Sequence, residues 1–150
     1  MKFPNISLFK NNKHFLLHFI RGYIDGDGCL CIYKNKNGKT RTTISLVGTK
    51  KFVSSVNDIF KNFNGSIRNK TSKGWLNKAF ELSFSDYPSR VIARLLYENA
   101  TIYLTRKYNK YLYFCRLEEE SSLRKSSKIG KNCNVDTEIS FEIAKGSKTL

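Results

Sequence analysis

The sequence is short of acid. Lys and Arg number 27 against 12 Asp and Glu, a formal net charge of +15 over 150 residues. The shortage is also uneven, because no acid stands between Asp27 and Asp58, and none between Asp58 and Glu81. The first window carries Lys34, Lys36, Lys39, Arg41, Lys50 and Lys51; the second carries Lys61, Arg68, Lys70, Lys73 and Lys78. Solubility asks only for interspersed signs. A one-signed field of this size favours a polyanionic partner, and nucleic acid before a membrane surface, because no helical stretch is basic on one side and strongly apolar on the other. Long apolar runs are missing too. None approaches the roughly 20 residues that cross a bilayer, so a soluble protein is expected, with no membrane partner. The start, "MKFPNISLFKNNKHF", has neither a continuous apolar core nor a small-residue cleavage site, so no secretory signal is expected. Cys29, Cys31, Cys115 and Cys133 form no C-x-x-C pair and no regular framework, which fits a reducing intracellular compartment.

What is present suffices for one core: 40% of residues are hydrophobic and 13% aromatic, in a chain too short for two ordinary domains. An N-terminal arm (1–11), a folded domain (12–120) and a basic C-terminal appendage (121–150) are expected. Residues 12–24 place Phe15, Leu16, Phe19, Ile20, Tyr23 and Ile24 on one helical stripe, widened by Leu17. Period-2 patterns over 29–33 and 42–47 flank an Asn37-Gly38 turn, a hairpin signal. Thr49 is placed to cap a helix running to about Phe63, with Phe52, Val53, Val56, Ile59 and Phe60 inward. A second hairpin follows, from Ser66–Lys70 through "TSKG" to Trp75–Phe84. Ser85 or Asp86 then opens a helix through "YPSRVIARLLYEN", with proline in its first turn. A last helix is expected over about Thr105–Glu120, after which periodicity weakens apart from a short "EISFEIA" stretch.

The densest stretch is "FIRGYIDGDGCL", residues 19–30. Gly22 lies mid-helix, where glycine costs ~1 kcal/mol relative to alanine, and close approach of another backbone is the strongest reason for it. Gly26 and Gly28 bracket Asp27 where the helix must stop. A calcium loop counted from Asp25 fails, because its third ligand position is Cys29 and its twelfth is Lys36. His14 and His18 stand at i and i+4 without the glutamate or third ligand of a zinc site, and Cys29 and Cys31 read as strand thiols.

Residues 20–28, "IRGYIDGDG", resemble the LAGLIDADG motif: Gly22, Ile24, Asp25, Asp27 and Gly28 match, and Gly26 is a common substitute for alanine. With the element order over about 12–118, the charge and "YLTRKYNKYL" (103–112), the chain is similar to LAGLIDADG homing endonucleases of the single-motif type. The resemblance implies an α+β fold with an αββαββα core, an antiparallel, saddle-shaped sheet and helices on one face. It implies a homodimer in which the motif helix packs on its own copy through Gly22, Tyr23 and Ile20, with Asp25 bracing the partner helix. Asp27 and the Gly26 carbonyl would hold Mg²⁺ (or Mn²⁺), and a Lys or Arg near the start of the last core helix, Arg106 or Lys107, would support the attacking water. A polar residue at the end of the second strand shares that role in the family, but "LVGTK" lacks the usual Gln and offers only Thr49 or Lys50.

Double-stranded DNA is the implied partner, read by the hairpins in the major groove. Tyr33 and Asn35, then Arg41, Thr43 and Ser45, then Ser66, Arg68 and Lys70 form polar rows on single strand faces, while Lys36, Lys39, Lys73 and Lys78 suit phosphate contacts from loops. The function implied is staggered double-strand cutting of a long pseudo-palindromic site by metal-dependent phosphodiester hydrolysis. The alternative is a non-cleaving DNA- or RNA-binding protein on the same fold, an intron maturase or a regulator, with intron RNA as partner. Abundant Lys, Asn, Ile, Phe and Tyr suit an A·T-rich genome: an organelle (mitochondrion or chloroplast), a bacterial cytoplasm or a phage-infected cell.

Overall fold

The structure is a computed structural model that describes residues 13–70 and 79–126. The expected arm (1–11), the "TSKG" turn with Trp75, and the stretch beyond 126 lie outside the described residues. The order is α1 (Lys13–Asp27), β1 (Cys29–Lys34), β2 (Thr40–Gly48), α2 (Lys50–Ile59) with a 3₁₀ turn at Lys61–Phe63, β3 (Ser66–Asn69), β4 (Phe80–Ser85), α3 (Tyr87–Tyr97) and α4 (Thr105–Ser126). The strands form one antiparallel sheet in the order β1-β2-β4-β3. This is the expected α+β architecture.

Alternation builds the sheet into a two-faced layer. Leu30, Ile44, Leu46, Leu82 and Phe84 point to one face and are buried, and the helices cover that face with Ile20, Ile24, Phe52, Val53, Val56, Ile92, Leu96 and Phe114. Thr49 caps α2 as the sequence predicts, its hydroxyl accepting from the Phe52 N–H at 3.3 Å. The β1–β2 turn closes through Gly38 at φ 71°, a conformation glycine enters without strain.

Three elements depart from expectation. α1 runs three residues beyond Ile24 and ends at Asp27, so both aspartates lie in its last turn. Gly28 then follows directly: its N–H donates to the Ile24 carbonyl at 3.0 Å, and a Cβ there would come within 2.7 Å of Ile24 Cα. α2 stops at Ile59, and the 3₁₀ turn ends on Asn64 in the left-handed region. α4 continues through Ser126, past the expected end at Glu120, with the Ser121 and Ser122 hydroxyls both donating to the Glu118 carbonyl. The buried stripe of α1 is narrower than the apolar pattern predicts: Phe15 is 59% exposed while Ile20 and Ile24 are buried.

Tyr97 and Tyr111 stack with ring centroids 5.7 Å apart and fasten α4 to α3. Burial first, then the bond to Asp25, raises the Tyr97 phenol well above its ordinary value; burial first also raises Tyr111, and burial followed by the Asp27 charge raises Tyr23. A folded-state pKa above the unfolded one gives stability that is complete below the unfolded pKa, ~10, and is lost as pH rises through the folded one. Lys107 acts in the opposite sense, since its pKa is lowered by burial and then by Arg106. Cys31, raised by its contact with Cys29 and then by burial, acts in the same sense as the phenols, and the large shifts of Tyr97 and Tyr111 set the sign. Chemical denaturation between roughly pH 9 and 12 is expected to show a falling midpoint, with part of the tyrosine absorbance change at 295 nm appearing only on unfolding. A flat midpoint would contradict the buried phenols.

Candidate active site and nucleic-acid face

Two acids in the last turn of a helix face its negative end, where they are disfavoured unless something compensates them, and no basic residue of α1 stands in that turn. For Asp25 the compensation is inside the chain. Its Oδ1 accepts from the Tyr97 hydroxyl at 2.6 Å and its Oδ2 from the Leu104 N–H at 3.1 Å. Both carboxylate oxygens are thus engaged, and α1 is tied to α3 and to the entry of α4. Arg21 adds a second tie, its Nη1 donating to the Leu96 carbonyl at 3.3 Å.

Lys107 answers the carbonyls. Its side chain is 2% exposed, and its Nζ donates to the Ile24 carbonyl at 2.7 Å and to the Gly28 carbonyl, so one ammonium clamps the chain on either side of Asp27. One turn further along α4, Lys110 donates to the Leu30 carbonyl at 2.8 Å. Arg106 is exposed. The pair that the sequence left undivided is therefore divided by burial: Lys107 lies beneath the turn and Arg106 faces out.

Asp27 is exposed at the end of α1. It differs from Asp25 in that respect, and the last carbonyls of the helix, Gly26 among them, have no helical donors. This is a set of hard oxygen donors, the type Mg²⁺ takes; that ion commonly uses one or two carboxylates and fills its shell with water and phosphate oxygens. Among the described residues no three His, Cys, Asp or Glu side chains come together that could hold a metal ion.

Several expected interface residues turn inward instead. Ile20 is 1% exposed and belongs to the chain's own core. Tyr23 is half-buried, its hydroxyl donating to the Val47 carbonyl at 2.5 Å and its ring 4.5 Å from that of Phe52. Asp25 braces its own chain. Gly22 alone of that group is exposed, and an added Cβ there would meet no atom within 4 Å among the described residues. Thr49 stands as the α2 cap, exposed at the end of β2.

The solvent-facing side of the sheet carries the predicted rows in register: Tyr33 opposite Arg41, Cys31 opposite Thr43 and then Ser85, Ser45 opposite Ser83 and then Ser66, Arg68 opposite Glu81. Lys36 and Lys39 are exposed in the β1–β2 turn. Asn35 also serves the turn, its side-chain oxygen accepting from the N–H groups of Asn37 at 3.1 Å and Lys39 at 2.9 Å. Lys73 and Lys78 fall outside the described residues. The face also holds two acids that were not singled out: Asp86, 2.5 Å from Arg41, and Glu81, 3.7 Å from Arg68 and 3.5 Å from Lys70. A signal for Glu81 was available, since it alternates with Phe80 and Leu82 and must share the face of Arg68.

A one-sided antiparallel sheet whose first helix ends in two acids over a buried lysine defines a class. Residues 20–117 match the sequence profile of LAGLIDADG endonucleases, and the chain belongs to that family. Among solved structures it is similar to the LAGLIDADG meganuclease I-AabMI bound to uncleaved DNA (15% identity, TM-score 0.54, covering 75% of this chain and 40% of that one). It is similar also to the homing endonuclease I-GzeII in complex with its DNA target (21% identity, TM-score 0.55, 73% and 37%). A third is the homing endonuclease I-CvuI, with DNA not cleaved in the presence of Mg (14% identity, TM-score 0.54, 82% and 75%). At these identities the likeness establishes the fold. The chain spans about two fifths of the first two, 40% and 37% of their lengths. A comparison with curated protein sequences gave no match.

Proposed function

We propose that this chain is a site-specific, Mg²⁺-dependent DNA endonuclease that works as a homodimer and makes staggered cuts in a long pseudo-palindromic site. The observation that carries the reading is the contrast between the two aspartates: Asp25 has both oxygens occupied inside the chain, while Asp27 is exposed over a turn clamped by Lys107. A divalent cation held by Asp27 and the Gly26 carbonyl supplies, when bound, Lewis acidity toward a scissile phosphate. The chain's own residues do the rest. Lys107 holds the carbonyl turn at one height, Arg106 offers an exposed guanidinium to phosphate oxygens, and the basic strand face carries the duplex.

Support for the dimer comes from α1. Phe15 is 59% exposed, and Gly22 and Gly26 are exposed, with no atom of the described residues within 4 Å of an added Cβ. A mid-helix glycine that costs ~1 kcal/mol and relieves no crowding among the described residues is accounted for by a second helix packed across it.

The test is recovery of cleaved duplexes from a randomised library incubated with the full chain, in Mg²⁺ and in excess EDTA. A pseudo-palindromic site with staggered ends, found only with Mg²⁺, is expected. Tight, salt-sensitive binding with no cutting in either Mg²⁺ or Mn²⁺ would instead make the chain a DNA- or RNA-binding regulator or maturase on an endonuclease fold.

A further inference from the structure

Asp86 stands where an N-cap of α3 is predicted, and aspartate is a favoured cap, yet its side chain makes no capping hydrogen bond. Its backbone lies at φ 58°, ψ −124°, a region that glycine enters freely and that a side chain disfavours. Main-chain bonds hold it there. Its N–H donates to the Thr42 carbonyl at 2.7 Å, and its carbonyl accepts from Thr42 Oγ1 at 3.2 Å, Ser89 Oγ at 2.7 Å and the Arg90 N–H at 3.1 Å. Glycine would serve every one of these bonds without the unfavourable φ. What glycine lacks is the carboxylate, and that carboxylate lies 2.5 Å from Arg41 Nη2.

Arg41 stands on the solvent-facing side of β2, paired in register with Tyr33. An unrestrained guanidinium must be ordered on binding; one paired through Nη2 with a carboxylate is restrained beforehand and keeps its other N–H donors for a ligand. In the major groove an arginine fork reads the O6 and N7 of guanine. We propose that Arg41 and Asp86 form a preset reader for one guanine in each half of the DNA site, Arg41 as the specificity-determining residue and Asp86 as its positioning residue. The inference rests on the DNA-binding reading above. Glu81 makes no comparable unit, because its oxygen stands 3.7 Å from Arg68 and 3.5 Å from Lys70, shared between two cations and close to neither.

The experiment is selection of bound duplexes from a randomised library with the full chain in Ca²⁺, followed by single-base competition, for wild type, Arg41→Ala, Asp86→Asn and Asp86→Gly. Wild type is expected to require guanine at one position of each half-site. Arg41→Ala loses that requirement, and both Asp86 variants weaken it about 10-fold or more while the other positions keep their preferences. Unchanged preferences in the Asp86 variants, or a loss spread evenly over all positions, overturn the assignment and leave DNA recognition standing. A wild-type chain that selects no duplex overturns both.

Discussion

Asp27→Asn is expected to reduce cleavage by about 1,000-fold or more while the duplex stays bound, because the substitution keeps the shape of the side chain and removes the charge that attracts a divalent cation. Folding is not expected to suffer. Asp27 is exposed in the last turn of α1, with no base of that helix beside it, so removing its charge relieves repulsion with the helix end, worth about 0.3–1 kcal/mol. The variant should therefore melt at or slightly above the wild-type temperature. Single-turnover cutting, gel shift and a thermal melt on the same preparation separate these effects. Cutting at the wild-type rate would remove Asp27 from the metal site, and a large drop in melting temperature would show that its carboxylate has a structural partner.

Lys107→Met should behave in the opposite way, with a cost in both stability and cutting. The methionine fills most of the buried volume but donates nothing. The Ile24 carbonyl keeps the Gly28 N–H at 3.0 Å, whereas the Gly28 carbonyl loses the Lys107 ammonium. Hydrogen bonds to a charged donor are worth about 1.5–3 kcal/mol each. Against that loss stands relief of the burial that lowers the lysine's pKa, so the net destabilisation should be near 2 kcal/mol, or about 4–8 °C in a chain of this size. Cutting should fall by about 100-fold as the turn around Asp27 loses its height. Arg106→Ala, at an exposed position, should change stability by no more than about 0.5 kcal/mol. If Lys107→Met instead melts like wild type, the clamp is not holding the turn, and an ordinary catalytic role for the lysine becomes the better account.

Local pattern was legible where one neighbour relation dominates. Alternation in "TTISLV" and "FELSF" marks which strand face is buried, Asn37-Gly38 marks a turn, and Thr49 marks a helix start, because each depends on residues within a few positions. The two acid-free windows likewise pointed to a basic strand face. Local pattern failed where two assignments share one periodicity. Phe15 and Ile20 fall on the same helical stripe, yet only Ile20 is buried, and the spacing alone cannot choose the inner edge of a stripe that is apolar nearly all round. Asn35 reads as a strand-end residue by alternation, and only the structure shows its side-chain oxygen bonded to the Asn37 and Lys39 N–H groups of the turn.

By itself the sequence determined the element order, the basic solvent-facing side of the strands and the presence of two acids at the end of the first helix, all properties of short-range periodicity and of side-chain chemistry. Only the tertiary structure decided what each charge does. Asp25 meets Tyr97 and Leu104, Lys107 meets Ile24 and Gly28, and Arg41 meets Asp86. These partners lie 45 to 83 positions apart in the chain, except that no spacing in the sequence announces any of them. The physical reason is that a buried or paired charge is satisfied by whichever donor or acceptor the packing of the core brings within hydrogen-bond distance.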